Sequence, residues 1–124
     1  MKIAFASTDG VHINEHFGRS KAFHIYTLDK DGFEFIEVHE TPLEYDDEAS
    51  RLEYKIDALS GCKIVYVVQI GPKAANMVKI ANIYPLRASD DKQKIEDALN
   101  SLYKLIKTDP PLWLKRIVLH EWSL

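Results

Sequence analysis

Two histidines four residues apart, His12 and His16, stand in a polar stretch that reads TDGVHINEHFGR from Thr8 to Arg19. Asn14, Glu15, Phe17 and Gly18 surround them, and Arg19 closes the stretch. A neutral imidazole is a frequent ligand for transition metals and iron–sulfur species. A polar segment between apolar ones runs over the surface, where binding groups concentrate. The i, i+4 spacing would put both imidazoles on one helical face, but Gly10, Val11 and Ile13 support a helix poorly. His16 is therefore the leading candidate ligand and His12 the weaker one. The bland alternative, in which His16 only hydrogen-bonds within its loop or caps a strand, is the one composition alone favours.

The remaining candidates divide by position. His24 falls inside a strand-like segment, and His39 and His120 read as surface residues. Cys62 is the single cysteine, and a soft thiolate would complement an imidazole at an iron–sulfur species. It precedes its strand, however, whereas the His16 loop follows one. A strand of about six residues at roughly 3.3 Å each separates the two ends by about 20 Å. Cys62 reads instead as a small buried residue. One thiol cannot hold a cluster in the usual four-thiolate manner, so any such species must arrive preassembled.

Charge narrows the ligand further. Arg19 and Lys21 follow the histidines, and a helix opening at Gly71-Pro72 would add free backbone N–H groups and a positive dipole end. The site would suit an anion that also accepts an imidazole. A large anionic metal cluster meets both conditions, and so does a phosphate-bearing metabolite. Hydrolase and nuclease chemistry on comparable sheets needs carboxylates converging on a metal, and the first strand, KIAFAS, offers none. Gly-x-Ser-x-Gly elbows, P-loops and dinucleotide fingerprints are absent from the sequence.

The elements that must position these residues follow from hydrophobic periodicity. Lys2 to Ser7 is a short strand buried on both faces. Ala22 to Leu28 and Phe33 to Val38 are strands joined by an Asp31-Gly32 hairpin turn, the second of them near an edge because it carries Glu34 and Glu37. Glu40 to Asp47 is an acidic connector. Ala49, Leu52, Ile56 and Leu59 mark a helix that stops at Gly61. Ile64 to Val68 is a buried strand parallel to the first. Pro72 opens a helix packed through Ala74, Ala75, Met77, Val78 and Ile80, and Ile83 to Leu86 forms a short strand. The last long helix has Ser89 as N-cap with Asp90 and Asp91 in its first turn, and Pro110-Pro111 ends it. Five strands and three helices in this order predict a mixed sheet with helices against it. The thiol-poor composition fits a reducing, cytoplasmic compartment. No segment approaches a membrane span or a signal peptide. A net charge of −3, from 16 basic and 19 acidic residues, with no run of positive charge, argues against nucleic acid.

The opening KIAFASTDG and the block INEHFGRSKAFHIYTL resemble the nitrogenase iron–molybdenum cofactor-binding family, of the NifX/NafY type and related to the C-terminal part of NifB. Ile13 to Gly18 carries its HFG motif. The stretch GCKIVYVVQIGPKAANMVKIANIYPLRA resembles its second block, and DPPLWLKRI resembles the proline–tryptophan ending of NifX members. The resemblance implies a three-layer ribonuclease-H-like fold with a mixed five-stranded sheet, without nuclease activity. It implies a non-catalytic carrier of iron–molybdenum cofactor or its iron–sulfur precursor cluster, working with the nitrogenase cofactor scaffold and precursor-synthesis proteins. On this sequence His16 becomes the expected metal ligand. Phe17, Gly18 and Arg19 shape the site, and Asn14, His12 and Gly71 complete the candidate cofactor-binding set. Because such motifs also occur outside nitrogen fixation, another anionic metal species or a phosphorylated metabolite is the alternative ligand. The expected division is a cofactor-binding α/β domain over residues 1–108 and a tail over 109–124. That tail, rich in Leu112, Trp113, Leu114, Ile117, Val118, Leu119 and Trp122, either covers the domain's own sheet or docks on a partner.

Overall fold

The computed structural model describes residues 1–122; the last two residues of the expected 109–124 tail lie outside them. Five strands form one sheet in the order β3-β2-β1-β4-β5. They are β1 (Lys2–Ala6), β2 (Ala22–Asp29), β3 (Gly32–Glu40), β4 (Cys62–Val67) and β5 (Tyr84–Arg87). β1 pairs antiparallel with β2 and parallel with β4, while β3 is antiparallel to β2 and β5 parallel to β4. This is the mixed, ribonuclease-H-like sheet expected, and β3 lies at an edge.

Period-two alternation divides the core into two layers. Ala4, Ala6, Phe23, Ile25, Val65 and Val67 point to one side, where α1 (Glu48–Asp57) and α2 (Pro72–Ile80) bring Leu52, Ala74 and Val78. Ile3, Phe5 and Ile64 point to the other, under α3 (Ile95–Thr108) and α4 (Leu112–Glu121), which supply Ile95, Leu99, Leu102 and Leu114. β1 is central and buried on both faces from Ile3 onward.

Three expectations are corrected. The last long helix does not begin at Ser89: α3 starts at Ile95 with Lys94 at its N-cap. The chain before it pairs with the histidine loop instead, through Ile13 N to Gln93 O (2.8 Å) and Ile95 N to Val11 O (2.8 Å). Ser89 to Lys92 is held in turns, with Ser89 N donating to Gln93 Oε1 and Lys92 N to Asp90 Oδ1. Ile80 does not pack: it is 75% exposed. Two residues past Val78 it lies some 200° around the helix from that buried position. β5 begins one residue later than expected because Ile83 belongs to the helix end. There Asn82 takes a left-handed φ of +63°. Ile83 N donates to Val78 O and Asn82 N to Lys79 O, the Schellman closure that asparagine tolerates.

The tail folds back on its own sheet. Leu114 is fully buried, Trp113 stacks on Tyr84 with ring centroids 3.7 Å apart, and the Trp122 indole donates to Leu28 O at 3.1 Å. Leu112 and Leu119 stay exposed. Among the described residues, no helix is long and apolar enough to cross a membrane.

Candidate functional site

The histidine loop is laid against the carboxyl ends of β1 and β4 by main-chain bonds. Asn14 N and Glu15 N both donate to Ala6 O, Val68 N donates to Glu15 O at 3.0 Å, and Phe17 N donates to Gln69 O at 2.9 Å. His16 thereby pairs with Gln69 in an isolated parallel bridge. Immediately after it, Phe17 enters the core with no exposed surface and packs on Phe23 at 5.8 Å. A 3-10 turn over Phe17–Arg19 follows. The alternation of an exposed His16 with a buried Phe17 makes the aromatic an anchor that holds the imidazole outward.

The base of the loop is tied separately. Asn14 accepts from Thr8 N at 2.9 Å and donates to Thr8 Oγ1 at 2.8 Å. The Asp9 carboxylate accepts from Val11 N and His12 N and meets His12 Nδ1 at 2.7 Å. Those bonds, the His12 amide foremost, hold the Asp9 carboxyl well below the usual carboxylate range. Gly10 lies at φ +74°, and a Cβ there would stand 2.9 Å from the His24 ring. Only glycine meets both conditions. Burial pushes the His24 imidazole pKa down, partly offset by Asp9.

His16 opens onto a cavity of about 570 Å³. The loop gives it Gly18, Arg19 and Lys21, and the exit of β4 gives Gln69 and Gly71. The connector Thr41 to Tyr45 forms a further wall, and Arg51 and Lys55 of α1 another. Four cations therefore surround one imidazole. The sequence has no run of positive charge, yet the fold gathers a basic field on one face, because these cations come from two separate segments. Lys55 is only 3% exposed, and its Nζ donates to Ser20 O, which also accepts from the Thr41 hydroxyl at 3.1 Å. Burial lowers the Lys55 pKa, and Arg51 and Lys21 lower it further. An anion in the cavity would relieve that repulsion. Glu44 meets Lys21 at 3.5 Å, but both side chains are largely exposed, so the pair adds little. Gly71 is the N-cap of α2, with Pro72 in the first turn and no side-chain cap. Its free N–H groups and dipole end add to the field beside Gly71.

Of the candidate residues, the cavity collects His16, Gly18, Arg19 and Gly71. His12, Asn14 and Phe17 do not line it: His12 is held by Asp9 and bridges to Lys94, Asn14 ties the loop base, and Phe17 is in the core. Cys62 sits at the opposite end of β4, 5% exposed, its thiol pushed up to about 11 by burial. Sequence reasoning missed Arg51, Lys55, Gln69 and the connector wall. The i, i+4 spacing of Arg51 and Lys55, which puts both on one face of α1, was the available signal.

Residues 1–105 match the family described as dinitrogenase iron-molybdenum cofactor. The protein NifX of Sinorhizobium fredii (strain NBRC 101917 / NGR234) is 33% identical over 128 aligned residues, covering 95% of this chain and 78% of that protein. The FeMo cofactor biosynthesis protein NifB of Rhizobium meliloti (strain 1021) is 35% identical over 106 residues, 82% of this chain and 21% of that one. The crystal structure of PH0822 superposes with a TM-score of 0.65 at 23% identity, over 84% of this chain and 89% of that one, a likeness of fold. The chain belongs to the dinitrogenase iron-molybdenum cofactor family.

Proposed function

We propose that this member of the family is a non-catalytic carrier. It takes up iron–molybdenum cofactor, or the iron–sulfur cluster from which that cofactor is made, and delivers it during nitrogenase cofactor assembly. The observation that carries the reading is one imidazole, His16, at a cavity ringed by Arg19, Lys21, Arg51 and Lys55. Such clusters are bulky anions with soft metal ions at their surface. A single imidazole can take one open metal position, while the cations and the α2 N-terminus neutralise the sulfide-rich body. A single protein ligand with charge around it suits a cargo that must leave again, whereas a closed set of thiolates suits a resident cluster. Asn14, Phe17 and the Asp9–His12 contact act by shaping the loop. The partners are the proteins that make the precursor and the scaffold that receives the cofactor, in the cytoplasm.

The test is anaerobic incubation of the full chain with the isolated precursor cluster, read by iron content and visible absorbance after gel filtration. His16→Ala should lose most of the bound iron while keeping the wild-type melting temperature. Cys62→Ala should retain it. Equal loss in the two variants would remove His16 as the ligand, and displacement of the cluster by millimolar inorganic phosphate would favour the phosphorylated-metabolite reading.

A further inference from the structure

A second concavity, of about 370 Å³, lies at the other end of the parallel strands, between the start of β5 and α4. Its floor is apolar: Ile83, Tyr84, Trp113 and Ile117. The Tyr84 and Trp113 rings lie 3.7 Å apart and within 5° of parallel, a stiff platform. Lys63 of β4, Lys79 of α2 and Arg116 of α4 stand around it, with His120 and a single carboxylate, Glu121. Among the described residues, none of the three cations makes a salt bridge. Three elements distant in sequence thus gather basic groups around an apolar floor in a chain whose net charge is −3. The proline–tryptophan segment builds this groove by docking on its own sheet, so its apolar content is not spent on the core alone.

We propose that this groove is a docking surface for a partner protein, and that the partner's element is an acidic segment carrying a bulky apolar side chain. Charge complementarity selects the occupant. Three cations around an apolar floor disfavour a basic or purely polar segment through like charge and unfilled hydrophobic surface. An apolar anchor on the aromatic platform, flanked by carboxylates, satisfies both parts. The groove is separated from the His16 cavity by the length of β4, six residues or about 20 Å, so the partner and the cargo can be held together. The proposal does not depend on what the cavity carries.

The probe is a fluorescein-labelled synthetic peptide in which Leu and Phe alternate with Asp and Glu, titrated with the full-length chain and followed by anisotropy. The triple variant Lys63→Glu, Lys79→Glu, Arg116→Glu should bind at least about tenfold more weakly, as should wild type at high salt. A peptide with Ser in place of Leu and Phe should also lose about tenfold, because the platform would be left uncovered. Three results would overturn the proposal. They are wild-type affinity in the triple variant, undiminished affinity for the Ser peptide, and binding that vanishes in Lys21→Glu, Arg51→Glu while surviving in the triple variant, which would move the peptide to the His16 cavity. Self-association of the wild type in sedimentation, lost in the triple variant, would replace the partner by a second copy of this chain.

Discussion

Lys55 is the side chain whose removal best separates binding from folding. Its ammonium is almost wholly buried, donates to Ser20 O, and faces Arg51 and Lys21 across the cavity. The pKa is pushed down, so burial and the like charges of Arg51 and Lys21 together outweigh the help from Glu15 and Glu44. Without an anion beside it the charge is therefore a net cost. Lys55→Met keeps most of the apolar stem and removes the charge, and Ser20 O still accepts from Thr41. The melting temperature should stay within a few degrees of wild type, since the lost bond, about 1–2 kcal/mol, is opposed by relief of the burial and like charge that lower the pKa. The effect on cargo is one-sided. A unit charge roughly 6 Å from an anion at an effective dielectric constant of about 20 contributes ~3 kcal/mol, on the order of a hundredfold in affinity. Anaerobic cluster titration of wild type and Lys55→Met, with calorimetry on the same samples, measures both quantities. Cluster affinity within twofold of wild type would refute the role given to the cation ring. A fall of more than about 10 °C in melting temperature would show instead that Lys55 is a structural pin for the 20–41 junction.

Two further expectations follow from the packing. Leu114→Ala should cost roughly 2–5 kcal/mol, because the side chain is fully buried under α3. At ~2.1 cal/mol/K per residue over 124 residues, thermal unfolding should begin roughly 8 to 19 °C lower, and an unchanged transition would mean α4 is not docked. Burial lowers the His24 pKa in the folded state, so as pH falls the unfolded chain takes up the proton first. Its contribution is present above the unfolded pKa of about 6.5 and is lost as pH falls below it towards the folded value. Melting temperature should drop between about pH 7 and pH 5, less steeply in His24→Phe, and identical slopes would exclude His24 as the cause.

The sequence disclosed most where the signal was local. The TDGVHINEHFGR stretch, the parallel pairing of β1 with β4 and the Gly71-Pro72 helix start each depend on a few adjacent residues, and together they place His16 across from Gly71. What it hid was non-local. Ser89 followed by two aspartates has the composition of a helix start, but Val11 and Ile13 claim the backbone of Gln93 and Ile95. A sheet-like bridge formed over about 80 residues of separation leaves no trace in a helical window. The tail was ambiguous for a related reason. An amphipathic segment with two tryptophans reads the same whether its apolar side meets its own sheet or another protein, and the Tyr84 stack, the buried Leu114 and the Trp122–Leu28 bond decide in favour of the first.

The division of labour proposed for the site explains why its imidazole was legible and its charge was not. The proposed metal ligand would have to be fixed within a fraction of an ångström, and it is built locally: His16 is pinned by the Phe17 anchor one residue away and by a bridge to Gln69. Counter-charges act over many ångströms and need no shared segment, so α1 can supply Arg51 and Lys55 to a loop more than thirty positions earlier. The same distinction sets how each part should tolerate change. Moving His16 by one residue would exchange it with the core position of Phe17 and destroy both. A cation could shift by one helical turn along α1, from Arg51 towards Lys55, and still face the same cavity. Under the proposed function, binding in this architecture should therefore depend sharply on the position of the imidazole and only gradually on the positions of the charges around it.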